Sequence, residues 1–494
     1  MNPDRLLVTA AQMQAVEDWT FNRGLPVAGL MERAGLRLTE TILDTYPGLD
    51  RVGVLVGPGH NGADALVVAR ELHLLGLTVQ VFVPVNPLKP LTQDHLRYYQ
   101  AIGGRVVPEV QELRASSLLV DGLFGSGLTR ALAPELAQLV DTINHWGLRV
   151  VSLDLPSGLE SDTGAVLGTA IRAERTFCLG LWKQGLFEDR ALEYCGTVTR
   201  LDLGLPMAAL QAVLPEPQTQ RITPDFARAG LPLNRPLAAH KYTVGRLLVV
   251  AGSRQFTGAA LLTGLGARAS GVGWVGMAVP GSIRDGLGFH LPDAVYHPCP
   301  ETSEGVIHQL AVDPRDYRAV ACGPGLGHAS ELVQQLLAQP VPLVLDAGAL
   351  SSLGVCGDQL QRSAPTVITP HAGEFKRLFP DLDPQSRLAS ARIAAVRSGA
   401  VVVLKGARTV IATPQGQVWV NPESTPALAR AGSGDVLTGL LAGVLAQGVS
   451  PLMAAVGAVW WHSHAARQLA LTRSVLGVDP VTLAQYLPSS LEFI

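Results

Sequence analysis

The sequence predicts an α/β protein built from two successive units, each a largely parallel sheet covered by helices. Three observations predict it. Hydrophobic residues make up 47% of the 494 positions and charged residues only 16%, the balance expected when strands are buried on both faces and read as continuous apolar runs. Those runs alternate with helix-length segments, the pattern of strands joined by crossover helices. The alternation stops at a proline-rich polar stretch and then begins again.

In the first half, Val52–Val56 reads as a buried strand and 65–75 as a helix, Val79–Val83 as a strand and 95–102 as a helix. Strands at 117–121 and 150–154 follow, ending in Asp121 and Asp154. The break over 214–224 holds Pro215, Pro217 and Pro224 among polar residues and reads as the linker, giving domains of 1–218 and 223–494. The second half predicts a strand at 245–251, a small-residue helix at 258–270, and strands at 272–279, 319–322, 343–346, 367–369, 401–404 and 409–412. Two apolar helices follow Asp435. No short internal repeat or low-complexity tract interrupts either half.

The stretch Val436–Trp461 lacks Asp, Glu, Lys and Arg and raises the question of a membrane span. Gly448 reads as a helix stop, Ser450 as an N-cap and Pro451 as a first-turn proline, so two buried helices are expected rather than one spanning helix. The opening residues carry early charges and no apolar core of signal-peptide length. Net charge is −3 with both signs mixed along the chain, which excludes the basic stripe of a nucleic-acid binder. Five cysteines without a CxxC pair read as reduced thiols in a cytoplasm. No membrane partner is expected.

In the second half, Gly432-Ser433-Gly434-Asp435 feeds directly into an apolar helix. Glycines there let the backbone aim several N–H groups at one point, and a helix start adds partial positive charge. The segment reads either as a phosphate site with Asp435, at the cap or first helical position, as base, or as an Asp N-cap. Lys405, after a buried strand, either reaches a phosphate or packs its stem. His371 and Glu374 have a metal-pair spacing, but the surrounding proline and glycine read as loop rather than helix. His462 and His464 sit two apart on a helix and face different ways.

In the first half, Gly57-Pro58-Gly59-His60-Asn61-Gly62-Ala63-Asp64-Ala65 joins a strand to a helix, where such loops cradle phosphate or ribose groups. It is neither a Walker loop nor the usual dinucleotide fingerprint. Asp121 is followed by a glycine-rich turn through Arg130, and Asp154 by Pro156-Ser157-Gly158. Three strand ends with polar groups converge on the carboxyl edge of the sheet, where α/β ligands bind. Asn61, Asp121 and Ser157 are hard oxygen donors suited to a monovalent cation rather than zinc; alternatively the two acids only cap their turns.

The segments 56–70, 121–130 and 154–164, with the opening Leu30-Met31-Glu32-Arg33-Ala34-Gly35, resemble the epimerase domain of the NAD(P)H-hydrate repair enzymes, the YjeF N-terminal family. The second half resembles their ADP-dependent dehydratase domain, through His240–Arg246, Gly323–Gly327, Asp346–Leu350, Thr369–Phe375, Lys405–Thr409 and Gly432–Asp435. The resemblance implies a Rossmann-like three-layer α/β/α domain followed by a ribokinase-like α/β domain. It implies epimerisation of R- and S-NAD(P)HX, then dehydration of the S epimer to NAD(P)H at the expense of ADP. Hydrated NADH or NADPH and ADP would be the small-molecule partners, K+ the epimerase ion, and Mg2+ the ion accompanying ADP; a homo-oligomer is expected.

By the same resemblance, Asn61, Asp121 and Ser157 would hold potassium. His60, Asn61, Gly62, Ala63 and Asp64, with Gly125, Ser126, Gly127, Leu128, Thr129, Arg130 and Ala131, would surround the hydrated cofactor. Asp154 would be the substrate-contacting proton carrier, with Arg130 its partner. Ala259, Gly325 and His371 would contact the hydrate in the second domain, where Asp435 would be the catalytic base. Lys405, Gly406, Ala407, Arg408, Thr409 and Gly434 would bind the nucleotide. The first loop departs from the family's G-N-N-G-G-D-G at His60, Ala63 and Ala65, and the added methyls are expected to tighten it. The second domain departs at Ala431 and at Gly348, where Asp is common. Two other readings are a ribokinase-class small-molecule kinase and a first domain that binds nucleotide without catalysis.

Overall fold

The apolar runs become the strands of two sheets in a computed structural model that describes residues 1–216 and 218–491. Pro217 of the expected linker and the last three residues of the expected second domain lie outside the described residues. The chain divides between Thr219 and Gln220.

The first unit begins β1 (Leu7–Val8), α1 (Ala10–Phe21), α2 (Val27–Thr45), β2 (Arg51–Val56), α3 (His60–Leu74), β3 (Thr78–Phe82), α4 (Pro90–Ala101) and β4 (Arg105–Val107). It continues with β5 (Leu118–Gly122), α5 (Pro134–Trp146), β6 (Val150–Leu153), β7 (Arg175–Leu179), β8 (Trp182–Lys183), α6 (Leu192–Cys195), β9 (Thr197–Leu201) and α7 (Met207–Val213). Seven strands form a parallel sheet in the order β4-β3-β2-β5-β6-β7-β9. Strand order reverses between β2 and β5, so the loops after these strands open a crevice at the sheet's carboxyl edge. Outside that sheet, β1 pairs in parallel with β8.

Helix starts explain where sequence and structure differ. Helix α3 begins at His60, not 65, because Gly59 serves as its N-cap. Helix α4 begins at Pro90, not 95, with proline in its first turn, where the missing N–H costs nothing. Helix α1, unread from sequence, starts at a reciprocal capping box between Thr9 and Gln12.

The second unit runs β10 (Thr219–Arg221), α8 (Pro224–Ala229), β11 (Arg246–Val250), α9 (Thr257–Ala269), β12 (Trp274–Pro280), α10 (Arg284–His290), β13 (Val295–Cys299), β14 (Ala319–Cys322) and α11 (Ser330–Leu337). Then come β15 (Leu343–Leu345), α12 (Ala347–Leu353), β16 (Thr366–Ile368), α13 (Ala372–Leu378), α14 (Arg387–Ser398), β17 (Val401–Leu404), β18 (Val410–Ala412) and β19 (Val418–Val420). Helices α15 (Ser433–Ala446), α16 (Pro451–Arg473) and α17 (Pro480–Tyr486) close it. The sheet order is β10-β19-β18-β17-β16-β15-β14-β11-β12-β13. Part of the expected linker is thus an edge strand of this sheet. From β13 through β17 the pairings are parallel, whereas β17–β18 and β18–β19 are antiparallel. The switch point lies between β11 and β14.

The charge-free stretch resolves into α15 and α16, with Gly448 at φ +91° between them. Ser450 caps α16 by accepting the Met453 N–H at 3.4 Å. No helix among the described residues is long and apolar enough to cross a membrane. All five cysteines, Cys178, Cys195, Cys299, Cys322 and Cys356, are buried as thiols. Burial pushes the Cys178 and Cys356 thiols up to about 11 and Cys322 to about 12.

Helix α15 packs on α9 with shared apolar side chains and, at its glycines, with backbone in close approach. A Cβ at Gly439 would fall 1.9 Å from the Thr263 carbonyl oxygen, and one at Gly266 would fall 2.1 Å from that of Val436. Neither atom can swing aside as a side-chain tip would. Gly439→Ala is therefore expected to destabilise the second unit by about 1–3 kcal/mol, read as a lower chemical-denaturation midpoint; an unchanged midpoint would refute the contact.

Candidate active sites

A cavity of about 570 Å³ opens at the switch point of the first sheet. His60, Asn61 and Asp64 from α3 line it, with Gly125 to Thr129 from the loop after β5, and Asp154 after β6. Gly62 and Ala63 are buried beneath it. Gly62 leaves no room for a side chain, since a Cβ would fall 2.0 Å from the Gly57 carbonyl oxygen. Ala63 packs with Met31 and Val67, and Ala65 lies where a Cβ on Gly122 would meet its methyl at 2.3 Å. The two added methyls therefore fill core behind the helix; they do not tighten the loop, as the sequence suggested.

Asp154 adopts φ +65°, a conformation that costs about 1–3 kcal/mol in a non-glycine residue and persists only where surroundings enforce it. Its Oδ1 accepts the Leu179 N–H at 3.2 Å and a hydrogen bond from the Lys183 ammonium. Lys183 also donates to the Leu179 carbonyl oxygen. Both side chains are nearly inaccessible. Arg130, expected as the partner of Asp154, is exposed and lies outside the cavity lining, as does Ala131. The reason is the short turn from β7 into β8, which returns Lys183 beneath Asp154.

Glu17 from α1 also lines the cavity. Burial pushes its carboxyl up to about 7, with the Lys183 charge opposing and the Asp154 and Asp18 charges adding. Asp64 is raised well above the carboxylate range, first by burial and then by Asp154 and Glu17. The cavity thus combines an ion pair with two acids biased toward the protonated form.

Beside it, Asp121 is fully buried. Its Oδ1 accepts the Ser157 hydroxyl at 2.6 Å and the Leu123 N–H at 3.3 Å; Oδ2 accepts the Ser152 hydroxyl at 2.7 Å and the Ser157 N–H at 2.9 Å. All four donors are neutral, and burial raises the Asp121 carboxyl above its usual range. The Asn61 Nδ2 is buried without a hydrogen-bond partner. A buried carboxylate with only neutral donors lacks a compensating charge, which a monovalent cation held by oxygens would supply; the orphaned Asn61 Nδ2 is a donor and does not itself favour a cation.

In the second unit, hydrogen bonds tie successive strand ends together. The Gly323 N–H donates to Val250 O at 3.1 Å, Asp346 N–H to Cys322 O at 3.0 Å, Thr369 N–H to Leu345 O at 3.1 Å and Lys405 N–H to Pro370 O at 2.9 Å. Asp346, at the end of β15, is 1% exposed. Its Oδ1 accepts from Lys405 Nζ at 2.7 Å and its Oδ2 from the Thr438 hydroxyl at 2.7 Å. A Cβ on Gly434 would lie 3.4 Å from Lys405 Nζ. The first turn of α15 thus sits directly over the lysine.

Asp435 is the third residue of α15, not the cap or first position, because Gly432 in the left-handed conformation is the N-cap and supplies no side-chain cap. First-turn N–H groups left without a side-chain cap are available to an anion. Burial pushes the Asp435 carboxyl up to about 7, with Asp346 and Glu374 adding and Lys405 opposing. Behind the loop, buried His462 bonds the Ser433 backbone; burial pulls its ring down to about 4, so it stays neutral.

His371 and Glu374 are not a loop pair. His371 is the N-cap of α13 and Glu374 its third residue, in a capping box: His371 Nδ1 accepts the Gly373 and Glu374 N–H groups, and Glu374 Oε2 accepts the His371 N–H at 2.8 Å. A proline and a glycine beside them suit a helix start as well as a loop. No cluster of three His, Cys, Asp or Glu among the described residues has metal-site geometry. Gly325, at φ +66°, approaches α9 so closely that a Cβ would lie 2.8 Å from that of Ala259. Lys405 to Thr409 form the turn from β17 to β18. Ala431 is exposed before the N-cap, and Ala347, beside Gly348, holds φ +46°.

Two family matches divide along the same lines: YjeF-related protein N-terminus over residues 27–185 and NAD(P)H-hydrate dehydratase over 247–489. The bifunctional NAD(P)H-hydrate repair enzyme Nnr of Gloeobacter violaceus is 54% identical, covering 97% of this chain and 96% of its own. The corresponding Synechocystis protein is 50% identical over 98% and 94%. A solved Bacillus subtilis ADP/ATP-dependent NAD(P)H-hydrate dehydratase, co-crystallised with ATP and Mg2+, is 35% identical, covering 55% of this chain and 96% of its own at a TM-score of 0.49. With identity of this level across nearly its whole length, the chain belongs to the family of bifunctional NAD(P)H-hydrate repair enzymes.

Proposed function

We propose that this chain repairs hydrated NAD(P)H at two sites, epimerising the C6 carbinol in the first unit and dehydrating the S epimer with ADP in the second. The observation that carries the reading is Asp435, a carboxyl poised near neutrality in the first turn of an uncapped helix beside Lys405. Hydroxide is a poor leaving group. Asp435 accepts the C6 hydroxyl proton as its oxygen attacks the β-phosphorus of ADP; the P–O bond to AMP breaks. Phosphate then leaves C6 with its bonding electrons, and loss of a C5 proton restores the ring double bond. The α15 N–H groups and Lys405 balance the charge on the moving phosphoryl group. Mg2+ bound with the nucleotide phosphates would supply further neutralisation of their charge.

The turn from Lys405 through Gly406, Ala407, Arg408 and Thr409, together with Gly434, binds the nucleotide. Ala259, Gly325 and His371 contact the hydrate. In the first unit, His60, Asn61, Asp64 and Gly125 to Thr129 enclose the hydrated ring, and Asp154 relays a proton. Asn61, Asp121 and Ser157 would hold K+, which would compensate the buried Asp121 charge and fix the loop after β5. The buried, reduced thiols support a cytoplasmic setting. Light scattering of the purified protein checks the expected homo-oligomer.

The testing experiment follows absorbance of reduced nicotinamide after mixing protein with racemic NADHX, ADP, Mg2+ and K+. Full recovery is expected; recovery halting near half, rescued by an authentic epimerase, would remove the epimerase assignment, and none with ADP or ATP would remove the dehydratase. Replacing K+ by Li+ is expected to slow epimerisation while leaving dehydration of purified S-NADHX unchanged; equal rates in both salts would remove potassium from the reading.

A further inference from the structure

We propose that Glu17 is the second proton carrier of the epimerase cavity, working with Asp154; the proposal rests on the epimerase reading of that site. Inverting C6 requires the C6–O bond to break, assisted by the N1 lone pair, leaving a planar carbon whose two faces must exchange water. One carboxylate serves one face. A protonated group must deliver its proton to the departing hydroxyl, and an ionised group must take one from the water adding to the other face.

The cavity holds that pair of roles on separate elements. Asp154, at the end of β6, is bound to the Lys183 ammonium, which suits the ionised role. Glu17 reaches the same cavity from α1, outside the sheet, and remains partly accessible there. The charged groups around Glu17 are Lys183 on β8, Asp154, Asp64 on α3 and Asp18 on α1 itself, with His60 and Lys89 elsewhere on the lining. Three acids against the single buried lysine favour the protonated form of one of them, and burial works the same way on Glu17. Asp64 lines the same cavity but is buried, whereas Glu17 is only half-buried, so Glu17 is the acid placed to exchange protons with solvent between turnovers.

The balance closes. The Glu17 proton joins the C6 oxygen, which leaves as water while C6=N1⁺ forms. Water adds to the opposite face, its oxygen bonding C6 and its proton passing to Asp154. The reverse direction, or exchange with solvent, restores both carboxyls.

The test uses the full chain and separated R- and S-NADHX, following interconversion chromatographically. Glu17→Gln is expected to lower epimerase kcat by about 10²-fold or more, with KM within about 3-fold, and to remove the alkaline limb of the rate profile. Glu17→Asp is expected to recover part of kcat with that limb displaced. ADP-dependent dehydration of S-NADHX stays at the parental rate in both. A Glu17→Gln chain within about 5-fold of the parent and with the parental profile overturns the proposal. Should Glu17→Gln unfold the first unit, a Glu17→Asp chain with an unshifted limb overturns it equally. A parent that fails to exceed the spontaneous rate overturns the epimerase reading itself, and the proposal with it.

Discussion

Asp435→Asn is expected to remove ADP-dependent dehydration, by about 10²–10⁴-fold in kcat, while epimerisation in the same chain continues at its parental rate. Asparagine keeps the shape and the position in the first turn of α15 but cannot accept the hydroxyl proton. Nucleotide affinity should persist, because the uncapped N–H groups and Lys405 are untouched. The acid limb gives a second readout. With the carboxyl pushed up to about 7, the base form, and hence the rate, rises as pH passes upward through that value. Stability runs the other way. A carboxyl raised in the folded state disfavours folding once it ionises, so parental stability falls as pH climbs from about 4, the unfolded value, to about 7 and then levels. Asp435→Asn should lack that decline. Calorimetry of nucleotide binding and denaturation across pH check both; retained turnover would exclude Asp435 as the base.

Lys183→Met is expected to be the most damaging substitution in the first unit. It leaves Asp154 enclosed, in a left-handed backbone conformation, without its cation. Breaking a buried pair by removing one partner costs about 3–5 kcal/mol, so the first unit should unfold at markedly lower denaturant and epimerisation should vanish. Asp154→Asn with Lys183→Met removes both charges and should recover much of the stability without the activity. If the single variant proves as stable as the parent, the ion pair does not support this fold.

Much of the architecture was legible because both sheets are built from runs such as Val52–Val56 and Val401–Leu404, whose burial on both faces leaves no polar alternation to misread. The helix starts were less so. At Gly59 and Lys89 the cap makes no side-chain hydrogen bond and the first turn contains polar residues, so the periodic signal begins late. Strands β7 and β9 are short and mix Arg and Thr with apolar residues, and escaped notice. The motif residues were legible where a glycine turn leaves a strand end. Lys183 and Glu17 were not, for a physical reason: each lies on an element whose local pattern is ordinary. Glu17 sits beside Asp18 on α1, a helix unread from sequence, and Lys183 follows a tryptophan in a two-residue strand. Only the fold brings them against Asp154. The loop reading of His371 and Glu374 failed because a histidine nitrogen can cap a helix as a serine does, with proline and glycine at the helix start.

The five enclosed thiols have a practical corollary for anyone labelling this enzyme. All five are buried, so maleimide reagents should leave the parental chain unmodified. A single cysteine introduced on an exposed loop could then carry a fluorophore or spin label in the otherwise unaltered sequence, and the motions of each unit could be followed without first building a cysteine-free background.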